Sequence, residues 1–147
     1  MFNKPNSPYR FSEHQILATL IGIVYLWFGL LKIFPQLSPA EEIAYQVIDL
    51  ITFGLFPKQL AIYTLGIGEI LIGFALIFYS KKTIVIKITL AHMLCTFLPL
   101  FVFPGESFAY FPYAFSLLGQ YIFKNIIIVG ILIILLRENI NQKKAIS

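Results

Sequence analysis

The sequence predicts an all-α fold, an integral membrane four-helix transmembrane bundle with a short amphipathic helix in its first outer loop. Three observations carry this reading. Hydrophobic residues fill 59% of 147 positions and charged residues only 12%, with a mean hydropathy of +0.83. A chain of this size has too high a surface-to-volume ratio to hide so much apolar surface from water. Four apolar runs, at 16–34, 60–79, 84–103 and 117–136, are each long enough to cross ~30 Å of hydrocarbon at ~1.5 Å per residue. These runs are continuous and do not alternate, which favours helices over barrel strands, and a helix satisfies its own backbone in lipid. A single transmembrane domain, residues 1–147, accounts for the whole chain.

Charge orients the spans. Lys4 and Arg10 precede the first, Lys81 and Lys82 fill the turn between the second and third, and Arg137, Lys143 and Lys144 follow the fourth. The first loop carries Glu41, Glu42 and Asp49 against Lys58, and the third carries Glu106. Basic residues are retained on the cytoplasmic side, so both termini and the second loop are expected there. Ser38-Pro39-Ala40 could be read as a signal-peptidase site after the first span, but Lys32 late in the run and a polar helix face argue against cleavage.

Between the first two spans, Ser38-Pro39-Ala40-Glu41 reads as a capping box with Ser38 as N-cap and Pro39 at the first helical position. Ile43, Val47, Leu50 and Ile51 recur at helical spacing, and Gly54 offers a stop. A short amphipathic helix lying on the outer surface is expected. The third loop, 101–115, is aromatic, with a turn at Pro104-Gly105; it reads as an interfacial belt or as the rim of an apolar cavity.

Several function classes are excluded or disfavoured. The net charge of +4 sits beside the spans and forms no stripe, so membrane orientation explains it better than nucleic acid. The single cysteine, Cys95, rules out an internal disulfide or dithiol pair. His14 and His92 lie toward opposite sides without metal-ligand spacing, so no metal site is expected. Gly66 and Gly68 fall within a span and read as helix packing, not as a phosphate loop.

The informative residues are ionisable groups inside the spans, which are costly in a bilayer and should face the bundle interior or a wet cavity. They are Lys32, Glu69, His92 and Lys124. Each has neighbours at helical spacing: Gly22, Tyr25 and Gly29 with Lys32; Gly66 and Gly73 with Glu69; Thr96 and Pro99 with His92; Gln120 with Lys124. Small residues on these faces would let the helices approach. Counting residues from the outer ends puts Glu69 ~14 Å deep and His92 ~16 Å deep, so the two should meet near the midplane, with Lys32 and Lys124 above them. No span shows an evident break. Glu69 and His92 are the candidate proton-handling pair. Lys32 and Lys124 would bind an anion or a carbonyl oxygen, and Gln120, Tyr25 and Thr96 would complete the ligand site. A quinone-like molecule or a small anion suits such a pocket. A purely structural arrangement, with Glu69–Lys124 as an interhelical ion pair, stands beside that reading.

At these residues the chain resembles the DoxX family of small four-helix bacterial membrane proteins. The resemblance rests on Phe28-Gly29-Leu30-Leu31-Lys32 with Ser38-Pro39, on Gly68-Glu69-Ile70-Leu71-Ile72-Gly73, and on His92-Met93-Leu94-Cys95-Thr96-Phe97-Leu98-Pro99-Leu100. Leu118-Gly119-Gln120-Tyr121-Ile122-Phe123-Lys124-Asn125 is its most distinctive stretch, and the blocks together span 16–136. The chain also looks similar to reactive-chlorine-resistance membrane proteins in its glutamate–glycine second span and lysine-bearing fourth span. The resemblance implies a four-helix bundle in a bacterial plasma (inner) membrane. One branch of the family is linked to thiosulfate oxidation with quinone as acceptor, and others to oxidative-stress complexes. Two functions follow as expectations: a quinone-linked redox enzyme or subunit with an outward-facing site, or a non-catalytic partner that stabilises a redox or envelope complex. The lipid bilayer, a membrane redox partner or a second copy of the chain are the expected partners.

Overall fold

A computed structural model describes residues 12–34, 37–38 and 41–146. Lys4 and Arg10, and Pro39 and Ala40 of the expected capping box, lie outside the described residues. The chain is a multi-pass membrane protein: four helical segments, Glu13–Ile33, Lys58–Tyr79, Thr83–Val102 and Leu117–Lys144, are long and apolar enough to cross a bilayer.

Helix α1 (Glu13–Ile33) starts three residues before the expected span because Ser12 caps it. The Ser12 hydroxyl accepts from the Gln15 N–H at 3.3 Å, and the Gln15 side chain accepts from the Ser12 N–H at 3.4 Å. Two orphan donors at the helix start are thereby satisfied. His14, expected ahead of the first span, belongs to this helix and is buried.

Helix α2 (Glu41–Thr52) is the amphipathic loop helix, and it ends differently from the expectation. Gly54 donates to the Asp49 carbonyl at 2.9 Å and Phe53 to the Leu50 carbonyl at 3.4 Å, which is a Schellman stop. The left-handed position that glycine usually takes falls on Phe53 (φ 54°), with Gly54 (φ 73°) following. An exposed ion pair between Lys58 and Glu42 ties α2 to the start of α3 (Lys58–Tyr79).

Helices α1 and α3 pack with backbones in contact. A Cβ added to Gly29 would stand 2.7 Å from the Gly66 carbonyl oxygen, and one added to Gly22 would stand 2.8 Å from that of Gly73. Any side chain there would push the pair apart, which is how small residues bring membrane helices together. Gly68, expected to pack similarly, faces open space.

The third and fourth spans are both interrupted, contrary to the unbroken spans expected. Helix α4 (Thr83–Cys95) stops at Thr96, and α5 (Leu98–Val102) continues the crossing. Pro99 has no N–H to offer the Cys95 carbonyl, so the ladder cannot run through. The Thr96 hydroxyl instead donates to the Met93 carbonyl at 2.6 Å. In the fourth span, α7 (Leu117–Phe123) and α8 (Ile126–Ile146) meet at Lys124-Asn125. There Asn125 donates to Ile122 and Ile127 to Lys124, tightening the turn to i→i−3 bonds. Helix α8 runs past the expected end at 136 and carries Arg137, Lys143 and Lys144 into a helical extension.

Between α5 and α7 the third loop folds onto itself. A helical turn, α6 (Pro104–Ser107), leads into an antiparallel hairpin of β1 (Phe108–Tyr110) and β2 (Ala114–Phe115). Where only a turn at Pro104-Gly105 was expected, the loop thus also forms a small hairpin. It is fastened by the Ser107 hydroxyl to the Pro99 carbonyl at 3.0 Å and by the Ser116 hydroxyl to the Glu106 carbonyl at 2.6 Å. The shared core of the bundle includes Ala18, Ile21, Tyr25, Leu76, Ile86, Met93, Leu132 and Leu135.

Candidate functional site

The antiparallel pairing of α1 and α3 creates the central polar contact. Gly29 lies level with Gly66. Lys32 is three residues further along α1 and Glu69 three further along α3, so their Cα atoms diverge by ~9 Å along the axis. Side chains lean toward the N-terminus of their own helix. In an antiparallel pair these two therefore lean toward each other and close the gap. Lys32 Nζ donates to Glu69 Oε2 at 2.7 Å, with both side chains nearly excluded from the surface (7% and 9%).

The contact extends across to α4. Glu69 Oε1 lies 3.9 Å from His92 Nε2. The other imidazole nitrogen, Nδ1, is 3.1 Å from the Tyr25 hydroxyl, which also reaches the Thr89 carbonyl at 3.4 Å. Two proton arrangements fit this geometry. With Tyr25 donating to Thr89, His92 donates through Nδ1 and presents a bare Nε2 toward Glu69. With Tyr25 donating to His92, Nε2 carries the proton and points it at the carboxylate. Either way Lys32, Glu69, His92 and Tyr25 form one chain of polar groups across three helices.

That chain forms part of the wall of a cavity of about 210 Å³. Most of the remaining lining is apolar or weakly polar and comes from every span. Val24 and Phe28 come from α1, Leu65 from α3, Met93, Cys95 and Thr96 from α4 and its end, and Tyr121 and Ile128 from the fourth span. Helix α2 supplies one side with Ile43, Ala44, Val47, Ile48 and Ile51. Of its expected apolar stripe, Ile43, Val47 and Ile51 face the cavity, while Leu50 does not and is exposed. Val24, Ile51 and Cys95 are exposed as well as lining, so the cavity reaches the surface beside them.

Of the seven residues singled out from the sequence, Tyr25, Lys32, Glu69, His92 and Thr96 line this cavity. The other two do not. Lys124 sits at the α7–α8 interruption, exposed, with its ammonium 4.2 Å from the centre of the Tyr121 ring. Gln120 is exposed and donates to the Phe115 carbonyl at 3.4 Å. Both lie on a face of the fourth span turned from the cavity, which Tyr121, Ile122 and Asn125 line instead, and Glu69 pairs with Lys32 where Lys124 was the alternative. The third loop is likewise absent from the cavity wall, so its aromatic residues do not rim it.

Sequence reasoning missed Asn125, which lines the cavity one residue beyond Lys124, and Tyr121, whose ring meets Phe28 edge-on at 5.6 Å. The α2 stripe at Ile43, Val47 and Ile51 was a visible signal, but its target was not. Among the described residues, no group of three or more His, Cys, Asp or Glu stands ready to hold a metal ion.

The fold and the site define the class: a multi-pass helical membrane protein with a largely buried Lys–Glu–His–Tyr chain facing an apolar cavity. No protein-family model, curated protein or solved structure matches the chain.

Proposed function

We propose that this is a DoxX-like protein of a bacterial plasma membrane, with both ends and the α3–α4 turn in the cytoplasm. It acts as a redox-linked enzyme or subunit whose outward-facing intramembrane cavity takes a quinone-like molecule. The observation that carries this reading is the continuity of Lys32, Glu69, His92 and Tyr25 along one wall of an apolar cavity. Reducing a quinone to a quinol takes two electrons and two protons. In the arrangement where Nε2 carries the proton, His92 can turn it to a carbonyl oxygen, and two protons taken up from water at the cavity mouth, relayed by the Glu69 carboxylate and the imidazole, would complete the quinol. Electrons would come from a partner redox protein.

Charge balance favours this ligand over a free anion. Lys32 is already neutralised by Glu69, so among the described residues no unpaired buried cation lines the cavity. The volume, about 210 Å³, is below the ~300–1,000 Å³ of drug-sized pockets and suits a single ring with any tail outside. The test is mass spectrometry of small molecules co-purified in native lipid discs, comparing wild type with Glu69→Gln and His92→Phe. A stoichiometric quinone, lost in folded variants, is the expected result. Equal retention in both variants, or no enriched molecule in repeated preparations, overturns the reading. Labelling Lys82→Cys and Glu106→Cys proteins in intact cells tests the orientation, with Glu106→Cys expected to react first.

A second reading, a non-catalytic membrane partner, draws on the hairpin loop. Tyr110, Phe111 and Tyr113 are 77%, 69% and 91% exposed there, aromatic surface suited to a neighbouring protein. Crosslinking from Tyr113→Cys that captures only lipid or a second copy would argue against it.

A further inference from the structure

A second polar layer lies at the other end of the bundle, beyond the cavity and outside the proposed function. Each helix builds it in the same way. Ala18, Leu76, Ile86 and Leu135 form part of the core, each with no exposed surface. About one turn further toward the α3–α4 turn, the same helices present His14, Ser80, Thr83 and Asn139. The pairs are four, four, three and four residues apart, spacings that keep both members on one helix face. The Gly22–Gly73 and Gly29–Gly66 contacts fix the register of α1 against α3, and that register sets His14 level with the residue after Ser80. Asn139 Nδ2 donates to the Ser80 carbonyl at 2.8 Å, closing the layer from α8.

The layer leaves buried polar atoms without partners. His14 is 7% exposed with neither ring nitrogen hydrogen-bonded, and Asn139 is 2% exposed with Oδ1 unpaired. The Thr83 hydroxyl is also buried and unpaired. Native proteins rarely leave such buried atoms without a partner. Their chemistry names the ligand. A neutral imidazole offers one donor and one acceptor, the amide oxygen accepts, and the hydroxyl does both. Glu13, Lys81, Lys82, Arg137 and Glu138 nearby in sequence are all exposed, so the buried set itself carries neither the carboxylates a cation needs nor an ammonium for an anion.

We propose that this layer is a hydrated binding site, in which at least one ordered water bridges His14 to Asn139 and Thr83. A buried water typically has two to four such partners, which this set supplies. The water would join α1, α4 and α8 where the helices leave their apolar core.

Solid-state NMR of imidazole-labelled protein in lipid discs tests this by magnetisation transfer from water to the histidine ring. The chain has only two histidines, so His14→Phe identifies the His14 signal by its loss. If that variant fails to fold, His92→Phe leaves His14 as the sole histidine. Transfer from water to the His14 ring that is lost in Asn139→Leu is the expected result. Absence of transfer to His14 in folded protein, with transfer to exposed side chains intact, overturns the proposal. So does transfer that Asn139→Leu leaves unchanged.

Discussion

Removing Lys32 or Glu69 alone should be far more harmful than removing both. At 2.7 Å and an effective dielectric of about 20, the attraction between the two charges is about 6 kcal/mol. The desolvation of two almost fully covered groups cancels much of it, so the intact pair adds little net stability. A single substitution keeps the desolvation cost of the survivor and loses the attraction, which typically costs ~3–5 kcal/mol. Glu69→Gln strands an ammonium beside apolar side chains. Lys32→Met strands a carboxylate whose nearest cation candidate is His92, 3.9 Å away, and should fall at the lower end of that range. The double variant Lys32→Met/Glu69→Gln removes both charges and should lose much less than the ~6–10 kcal/mol sum of the singles. Equilibrium unfolding in mixed micelles gives all four corners of the cycle. Additivity to within ~0.5 kcal/mol would falsify the assignment of a dry, mutually dependent pair.

Other substitutions test the surrounding frame. Gly29→Ala places a methyl 2.7 Å from the Gly66 carbonyl, so α1 and α3 must separate; a loss of ~1–3 kcal/mol is expected in the same unfolding assay. Gly119→Ala would drive a Cβ into the Ser107 carbonyl oxygen. It should dislodge α6 and the hairpin, seen as faster limited proteolysis of the third loop. Lys124→Met removes an exposed cation–π contact and should cost under ~1 kcal/mol in the same unfolding assay. Cys95, both exposed and lining the cavity, should react with a small maleimide more slowly when a soluble quinone analogue is present. Equal rates with and without the analogue would separate the thiol from the binding site.

How much could be read in advance followed from which features repeat along the chain. The four crossings and the α1–α3 contact were legible because hydropathy and glycine spacing act within a single helix. Gly22, Gly29, Gly66 and Gly73 all fall on the shared interface. Placing His92 near Glu69 required only depth, and depth follows from helical rise. What escaped depends on where helices stop being regular. Pro99 is plain in the sequence, but whether a span bends or breaks at a proline depends on what else the freed Cys95 carbonyl can reach. The interruption at Lys124-Asn125 has no proline to announce it, and nothing in the span by itself says that the face of Tyr121 and Asn125, not that of Gln120 and Lys124, meets the cavity. The role of α2 escaped for a different reason. An apolar stripe states that a face will be covered, not by what, and the covering surface came from residues distant in sequence.

The apolar layer between the two polar regions bears on whether the bundle is a site or a conduit. Six residues of α4 separate Thr89, which meets Tyr25 in the cavity wall, from Thr83, a distance of ~9 Å along the helix. That interval is filled by Ala18, Leu76, Ile86, Leu132 and Leu135, all without exposed surface and none with a polar side chain. The Thr89 hydroxyl donates to the Val85 carbonyl within its own helix and hands nothing across. A proton or ion moving from the cavity to the α3–α4 turn would have to part this layer, since an isolated charge in such surroundings is strongly disfavoured. A transporter needs that parting in every cycle, whereas α1 and α3 are joined there by backbone contact at Gly22 and Gly73 that leaves little room to slide. If the cavity is the ligand site proposed above, this packing leaves its mouth as the route by which protons would be exchanged.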